Sequence, residues 1–149
     1  MSQQNPANEL SRMIYKLNRL TNEYTSRQME LEGLHDLQPS IAVVLLPLLE
    51  EEGQTLTTLA RKLNMKAPTV TVIANRLEER GWIIRERGTD DRRQVRLYLT
   101  NSGRGAAEIL SRIRKKALQQ MGAGIDRDSF SSALTTLLKM YKNLESRLP

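Results

Sequence analysis

LTTLARKLNMKAPTVTVIANRLEERGWIIRERGTDDRRQVRLYLT, residues 56–100, decides the fold. Leu56, Leu59, Ala60 and Leu63 fall at i, i+3, i+4 and i+7, one face of a short helix. Asn64, Met65 and Lys66 make a break. Val70, Ile73, Ala74 and Leu77 repeat the spacing, so a second helix follows. Pro68 sits in its first turn, where a missing N–H costs little. Gly81, after the last periodic residue, is placed to cap the C-terminus. Two short helices joined by such a turn form a helix-turn-helix. Trp82–Arg87 then reads as a strand, and Val95–Thr100 alternates Val95, Leu97 and Leu99 inward with Arg96 and Tyr98 outward. The connector Gly88–Gln94, GTDDRRQ, is too charged to be buried. A helix-turn-helix followed by a hairpin is a winged helix.

These residues resemble the MarR family (multiple antibiotic resistance regulators). The wing carries most of the likeness: Asp91-Arg92-Arg93, alternating strand residues, then Leu99-Thr100-Asn101-Ser102-Gly103. The second helix adds Pro68-Thr69-Val70-Thr71, Arg76-Leu77-Glu78 and Arg80-Gly81-Trp82-Ile83. There are departures. The family often has an acid where this chain has Gly88, Arg where it has Val72 and Asp where it has Asn75.

The whole chain sets bounds. Its 149 residues suggest one domain with a real core. Cysteine is absent, which removes disulfides, thiolate metal sites and thiol redox chemistry. No apolar run approaches the ~20 residues of a membrane span. The polar start, MSQQNPANEL, lacks a signal peptide's basic and apolar regions, so a cytoplasmic protein with no membrane partner is expected. Charge is uneven: net −4 over residues 1–55, +5 over residues 56–100 and +5 over residues 101–149. Clustered basic charge favours a phosphate backbone as partner.

Upstream, residues 1–8 read as frayed. From Ala7 or Asn8 to about Glu32, Leu10, Met13, Ile14, Leu17, Leu20, Tyr24 and Leu31 mark a long helix, which Gly33 ends. That stripe is too long for a winged helix to cover; in the family a second subunit covers it. Pro39 opens another helix, ending near Glu51, whose interior IAVVLLPLL is apolar nearly all round and therefore central. Pro47 is expected to kink it or end its regular part.

Downstream, Thr100 or Asn101 can cap a helix running to about Met121, with Ala106, Ile109, Leu110, Ile113, Ala117 and Leu118 inward. Gly122 and Gly124 break it. Asp126 or Asp128 caps a last helix, striped by Phe130, Ala133, Leu134, Leu137, Leu138, Tyr141, Leu144 and Leu148. A terminal stripe of that kind is more often interface than surface. The expected layout is one domain over residues 1–149, with 1–38 and 122–149 mainly for dimerisation, 39–100 the winged helix-turn-helix and 101–121 a linking helix.

At about 100° per residue, Pro68, Val72, Asn75 and Glu79 lie opposite the buried row of the second helix, flanked by Thr69, Thr71 and Arg76. Pro and Val on a solvent face suit contact with thymine methyl groups. Asn75 can read adenine or donate to phosphate, and Arg76 is placed to hold phosphate. Arg92 and Arg93 are candidates for the minor groove, with Asp91 orienting one of them; the resemblance favours Arg93. A solvated helix face accounts for Arg112, Arg114, Lys115 and Lys116 without DNA.

A single histidine, His35, and no cysteine leave no Cys–His or metalloprotease arrangement, so neither an enzyme nor a cofactor is expected. The expected fold is mainly α with a small β-wing. The expected function is sequence-specific binding of double-stranded DNA by a homodimeric transcriptional repressor. By the family's pattern, its two second helices enter successive major grooves of a pseudo-palindrome ~34 Å apart. The resemblance also implies a ligand, an aromatic carboxylate in the crevice between the first helix and the winged helix, with Lys16 and Arg19 as partners. The competing reading is a winged-helix adaptor that binds protein only.

Overall fold

In the computed structural model the first helix, α1 (Pro6–Leu31), begins within two residues of the expected start at Ala7 or Asn8. Asn5 caps it by accepting from the Ala7 N–H at 3.0 Å, and Pro6 stands at the first helical position. This pair of signals sets the start of the helix. The structure describes residues 5–35, 37–88 and 94–148. It divides into two compact units, Met1–Ala117 and Leu118–Pro149.

The expected central helix is two helices. α2 (Pro39–Ala42) and α3 (Leu45–Glu50) are separated by Val43 and Val44. Pro47 explains the break: its nitrogen cannot donate to the Val43 carbonyl four residues back, and its ring collides with that carbonyl in a continuous helix. A two-residue strand, β1 (Gln54–Thr55), follows. The buried Gln54 donates through Nε2 to the carbonyls of Pro47 (2.5 Å) and Glu51 (2.6 Å), closing the end of α3.

α4 (Leu56–Lys62) is capped by Thr55, whose Oγ accepts from the Thr58 N–H at 3.2 Å. Asn64, with φ +52°, ends it. The turn leads to α5 (Ala67–Glu79), so the helix-turn-helix stands as read. At the end of α5, Gly81 adopts φ +69°. Its N–H donates to Glu78 O at 2.8 Å and the Trp82 N–H to Leu77 O at 2.9 Å, a glycine-dependent cap. β2 (Ile83–Arg87) and β3 (Val95–Leu99) form the hairpin, and the antiparallel sheet runs β1-β3-β2 with Ile83 opposite Leu99 and Arg87 opposite Val95. Leu97 and Leu99 face the core as expected, whereas Val95 is exposed. It lies at the outer end of the hairpin, beyond the reach of the helices.

The core of the first unit joins Met29, Val44, Leu45, Leu48, Leu59, Val70, Leu77, Ile83 and Leu97, all essentially inaccessible to solvent. Each such side chain contributes on the order of 1.5–3 kcal/mol by leaving water. α6 (Asn101–Met121) adds Ala106, Ala107, Leu110 and Ile113. Thr100 settles its start, accepting from the Gly103 N–H at 3.0 Å and donating to Gly81 O at 2.7 Å. Gly103 is required by close approach, because a Cβ there would lie 1.8 Å from the Trp82 carbonyl oxygen. Past Ile113, α6 leaves the core, so Ala117 is only half-buried and Leu118 is exposed, against the expectation that both point inward.

In the second unit, α7 (Arg127–Glu145) is capped by Asp126, which accepts from the Ser129 N–H at 2.9 Å. That bond, with a second from the Ser129 hydroxyl, holds the Asp126 carboxyl below its ordinary range. No described residue of α7 is buried, although its stripe is apolar. Among the described residues no helix is long and apolar enough to cross a membrane.

Candidate nucleic-acid interface

α5 is anchored by one face and open on the other. Val70, Ile73, Ala74 and Leu77 are buried, while Pro68, Thr69, Val72, Asn75, Arg76 and Glu79 are exposed. Val72 keeps 52% of its surface accessible, an apolar side chain that the core does not use. Thr71 is half-buried and donates its hydroxyl proton to Ala67 O at 2.9 Å, so towards an outside partner it acts as an acceptor. Asn75 is not a free reader: its Oδ1 accepts from Arg85 Nη2 at 2.6 Å. Arg85 belongs to β2, and its Nη1 also bonds Glu78 Oε2 at 2.7 Å. One guanidinium thus ties the second helix to the wing.

β2 and β3 end side by side, with the Gly88 N–H donating to Gln94 O at 2.9 Å across the base of the loop. Asp91, Arg92 and Arg93 lie outside the described residues. On β3, Arg96 is half-buried and donates to Gly53 O at 2.8 Å.

This order of helices, turn and hairpin recurs in proteins of known class. The family model described as "MarR family" matches residues 37–95, the helix-turn-helix with most of its wing. The HTH-type transcriptional regulator SarZ of Staphylococcus saprophyticus is 31% identical over 104 residues, 70% of this chain and 68% of that protein. YwoH of Bacillus subtilis, an uncharacterized HTH-type transcriptional regulator, is 30% identical over 137 residues, covering 87% of this chain and 93% of its own. The structure of reduced AbfR bound to DNA superposes with a TM-score of 0.72 at 30% identity, over 93% of each chain. The chain belongs to the MarR family.

As a MarR-family transcriptional regulator, its remaining candidate residues sort by what they touch. Arg76 lines a surface cleft of about 340 Å³ with Gln38, Ile41, Glu79 and Arg80. The Arg80 guanidinium stacks 5.8 Å from the Trp82 ring centroid, bracing the turn after α5. Lys16 and Arg19 lie on the exposed part of α1, and Arg19 pairs with Glu23 at 3.3 Å. Neither lines this cleft, nor a larger one of about 620 Å³ between Glu51–Thr58 and Gln94–Arg96. Arg112 bridges to Glu32 at 3.6 Å, whereas Arg114, Lys115 and Lys116 face solvent.

Arg85 is the residue that the sequence reading passed over. Strand alternation puts it on the same side as Ile83, the side that meets α5, where Asn75 and Glu78 stand one turn apart. That coincidence of a helix-facing arginine with two acceptors was the available signal.

Proposed function

We propose that this MarR-family regulator binds double-stranded DNA sequence-specifically as a homodimer, as a repressor released by a small ligand. The observation that carries the reading is the open face of α5. It combines apolar Val72 and Pro68 with polar Thr69, Asn75 and Arg76 on a winged helix of net positive charge. Val72 would meet the major-groove floor, Arg76 phosphate, and Arg93 the minor groove with Arg92 and Asp91 beside it. That the similar AbfR is bound to DNA supports DNA as the partner.

The dimer reading rests on two uncovered stripes. Leu10, Met13, Ile14, Leu17 and Leu20 on α1, and Phe130, Leu134, Leu137, Leu138 and Tyr141 on α7, are exposed in the single chain. A second copy that covered both would bury the kind of apolar area that obligate dimers bury. As effector we propose an aromatic carboxylate held against α1 by Lys16, with Arg19 contributing if it leaves Glu23. A histidine count of one and no cysteine support non-covalent sensing over zinc or peroxide sensing. The same inventory supports a regulator without catalytic activity or cofactor, working in the cytoplasm where DNA is.

Selection of bound duplexes from a random pool, at a stated salt concentration, tests the function. The expected result is a pseudo-palindrome with half-sites one helical turn apart. Recovery of unenriched sequence would favour the protein-binding adaptor.

A further inference from the structure

We infer that Arg85 is a positioning residue for base readout: it fixes the Asn75 amide in one orientation and so sets which base Asn75 accepts. This rests on the DNA-binding reading and refines it. A free asparagine can turn its amide over and present either oxygen or nitrogen to a base edge. A guanidinium carries only donors, so whichever amide atom faces Arg85 must be the oxygen. The 2.6 Å bond from Arg85 Nη2 to Asn75 Oδ1 is of the short, charge-assisted kind. Turning the amide over would set its NH2 group against the guanidinium.

Arg85 is itself held in place. Glu78, one turn along α5 from Asn75, takes Nη1 at 2.7 Å and offsets its charge. The pair is partly shielded, with 26% of the Arg85 side chain and 39% of the Glu78 side chain accessible. Arg85 Nε is buried without a hydrogen-bond partner, so the two bonds to α5 are the ones that locate the fork. Its charge is spent within the protein rather than on phosphate.

The consequence is chemical. With Oδ1 turned to Arg85, Asn75 offers Nδ2–H to the groove. It must meet an acceptor: N7 of a purine, O6 of guanine or O4 of thymine. Cytosine presents only its N4 amine on that edge and is refused. Asn75 therefore discriminates against cytosine at one half-site position, and Arg85 enforces the discrimination without touching DNA.

A double-mutant cycle read by fluorescence anisotropy tests this at fixed salt. Wild type, Asn75→Ala, Arg85→Lys and the double variant are titrated with the selected operator and with single-base variants of one half-site. Asn75→Ala locates the position. Arg85→Lys keeps the charge but loses the fork, and is expected to cut the preference against cytosine there by about tenfold, the scale of one base contact. The double variant should be no flatter than Asn75→Ala alone. Arg85→Gln, which can face either end of the amide, must flatten the same position. Thermal midpoints identify any variant that fails to fold, and the remaining variant then decides. Wild-type preference in the Arg85 variants, an equal loss on every duplex, or flattening that adds to that of Asn75→Ala would overturn the inference. A wild type with no preference at any position would overturn it together with the DNA-binding reading.

Discussion

Replacing thymine by uracil in each half-site measures what Val72 does. In the free protein 52% of Val72 is exposed, on the face of α5 opposite Val70, Ile73 and Leu77. Valine has no donor, and the thymine methyl is the main apolar feature of the major groove. Covering one methyl group contributes about 0.8 kcal/mol, which is roughly fourfold in Kd. Uracil at the position opposite Val72 should therefore weaken binding about fourfold, and at other thymines hardly at all. Val72→Arg should move the preference to guanine by ~1–3 kcal/mol, through a bidentate bond to O6 and N7. The added charge should also tighten binding to unrelated duplexes. Anisotropy titrations of wild type and variant on the T, U and G duplexes give both quantities. If uracil leaves wild-type affinity unchanged at every half-site position, Val72 touches nothing and this reading of α5 is wrong.

Three further outcomes follow from other parts of the molecule. Gly103→Ala places a Cβ against the Trp82 carbonyl, 1.8 Å away before relaxation; the first turn of α6 must shift, and the thermal midpoint should fall by several degrees for a cost of ~1–3 kcal/mol or more. An unchanged midpoint would show that the contact is loose. Arg93→Ala should weaken binding to all duplexes and most of all to A·T-rich flanks, where a narrow minor groove concentrates negative potential; equal affinities for wild type and variant would remove Arg93 from the interface. Light scattering at micromolar concentration should return twice the 17.0 kDa of one chain, and a well-folded monomer would refute the role given to the α1 and α7 stripes.

The winged helix was legible because its signals are local. Val70, Ile73, Ala74 and Leu77 keep a helical period, and Gly81 marks the stop with a positive φ that side chains resist. What the sequence hid was short or conditional. β1 spans two residues, too few for any alternation to show, and exists because Gln54 and Thr55 pair with Leu97 and Arg96 of β3. The break between α2 and α3 falls at Val43–Val44, upstream of Pro47, because proline acts on the carbonyl four residues behind it. Val95 obeys the strand period yet is exposed, since a period assigns a side of the sheet and not the length of the core. At the interface, composition and phase exposed Val72, Asn75 and Arg76 as candidates. They did not reveal that Asn75 is already bonded to Arg85, because the pair is ten residues apart and meets only once β2 packs on α5.

A salt series on two duplexes tests the central claim most directly. The selected pseudo-palindrome and a scrambled duplex are titrated across a range of ionic strength. Sequence-specific binding through phosphate contacts predicts that log K falls steeply and linearly with log salt concentration for both. It also predicts that the selected duplex stays tighter throughout, by a factor of roughly 10³ or more. A flat salt dependence, or two coincident lines, would contradict sequence-specific DNA recognition by this winged helix.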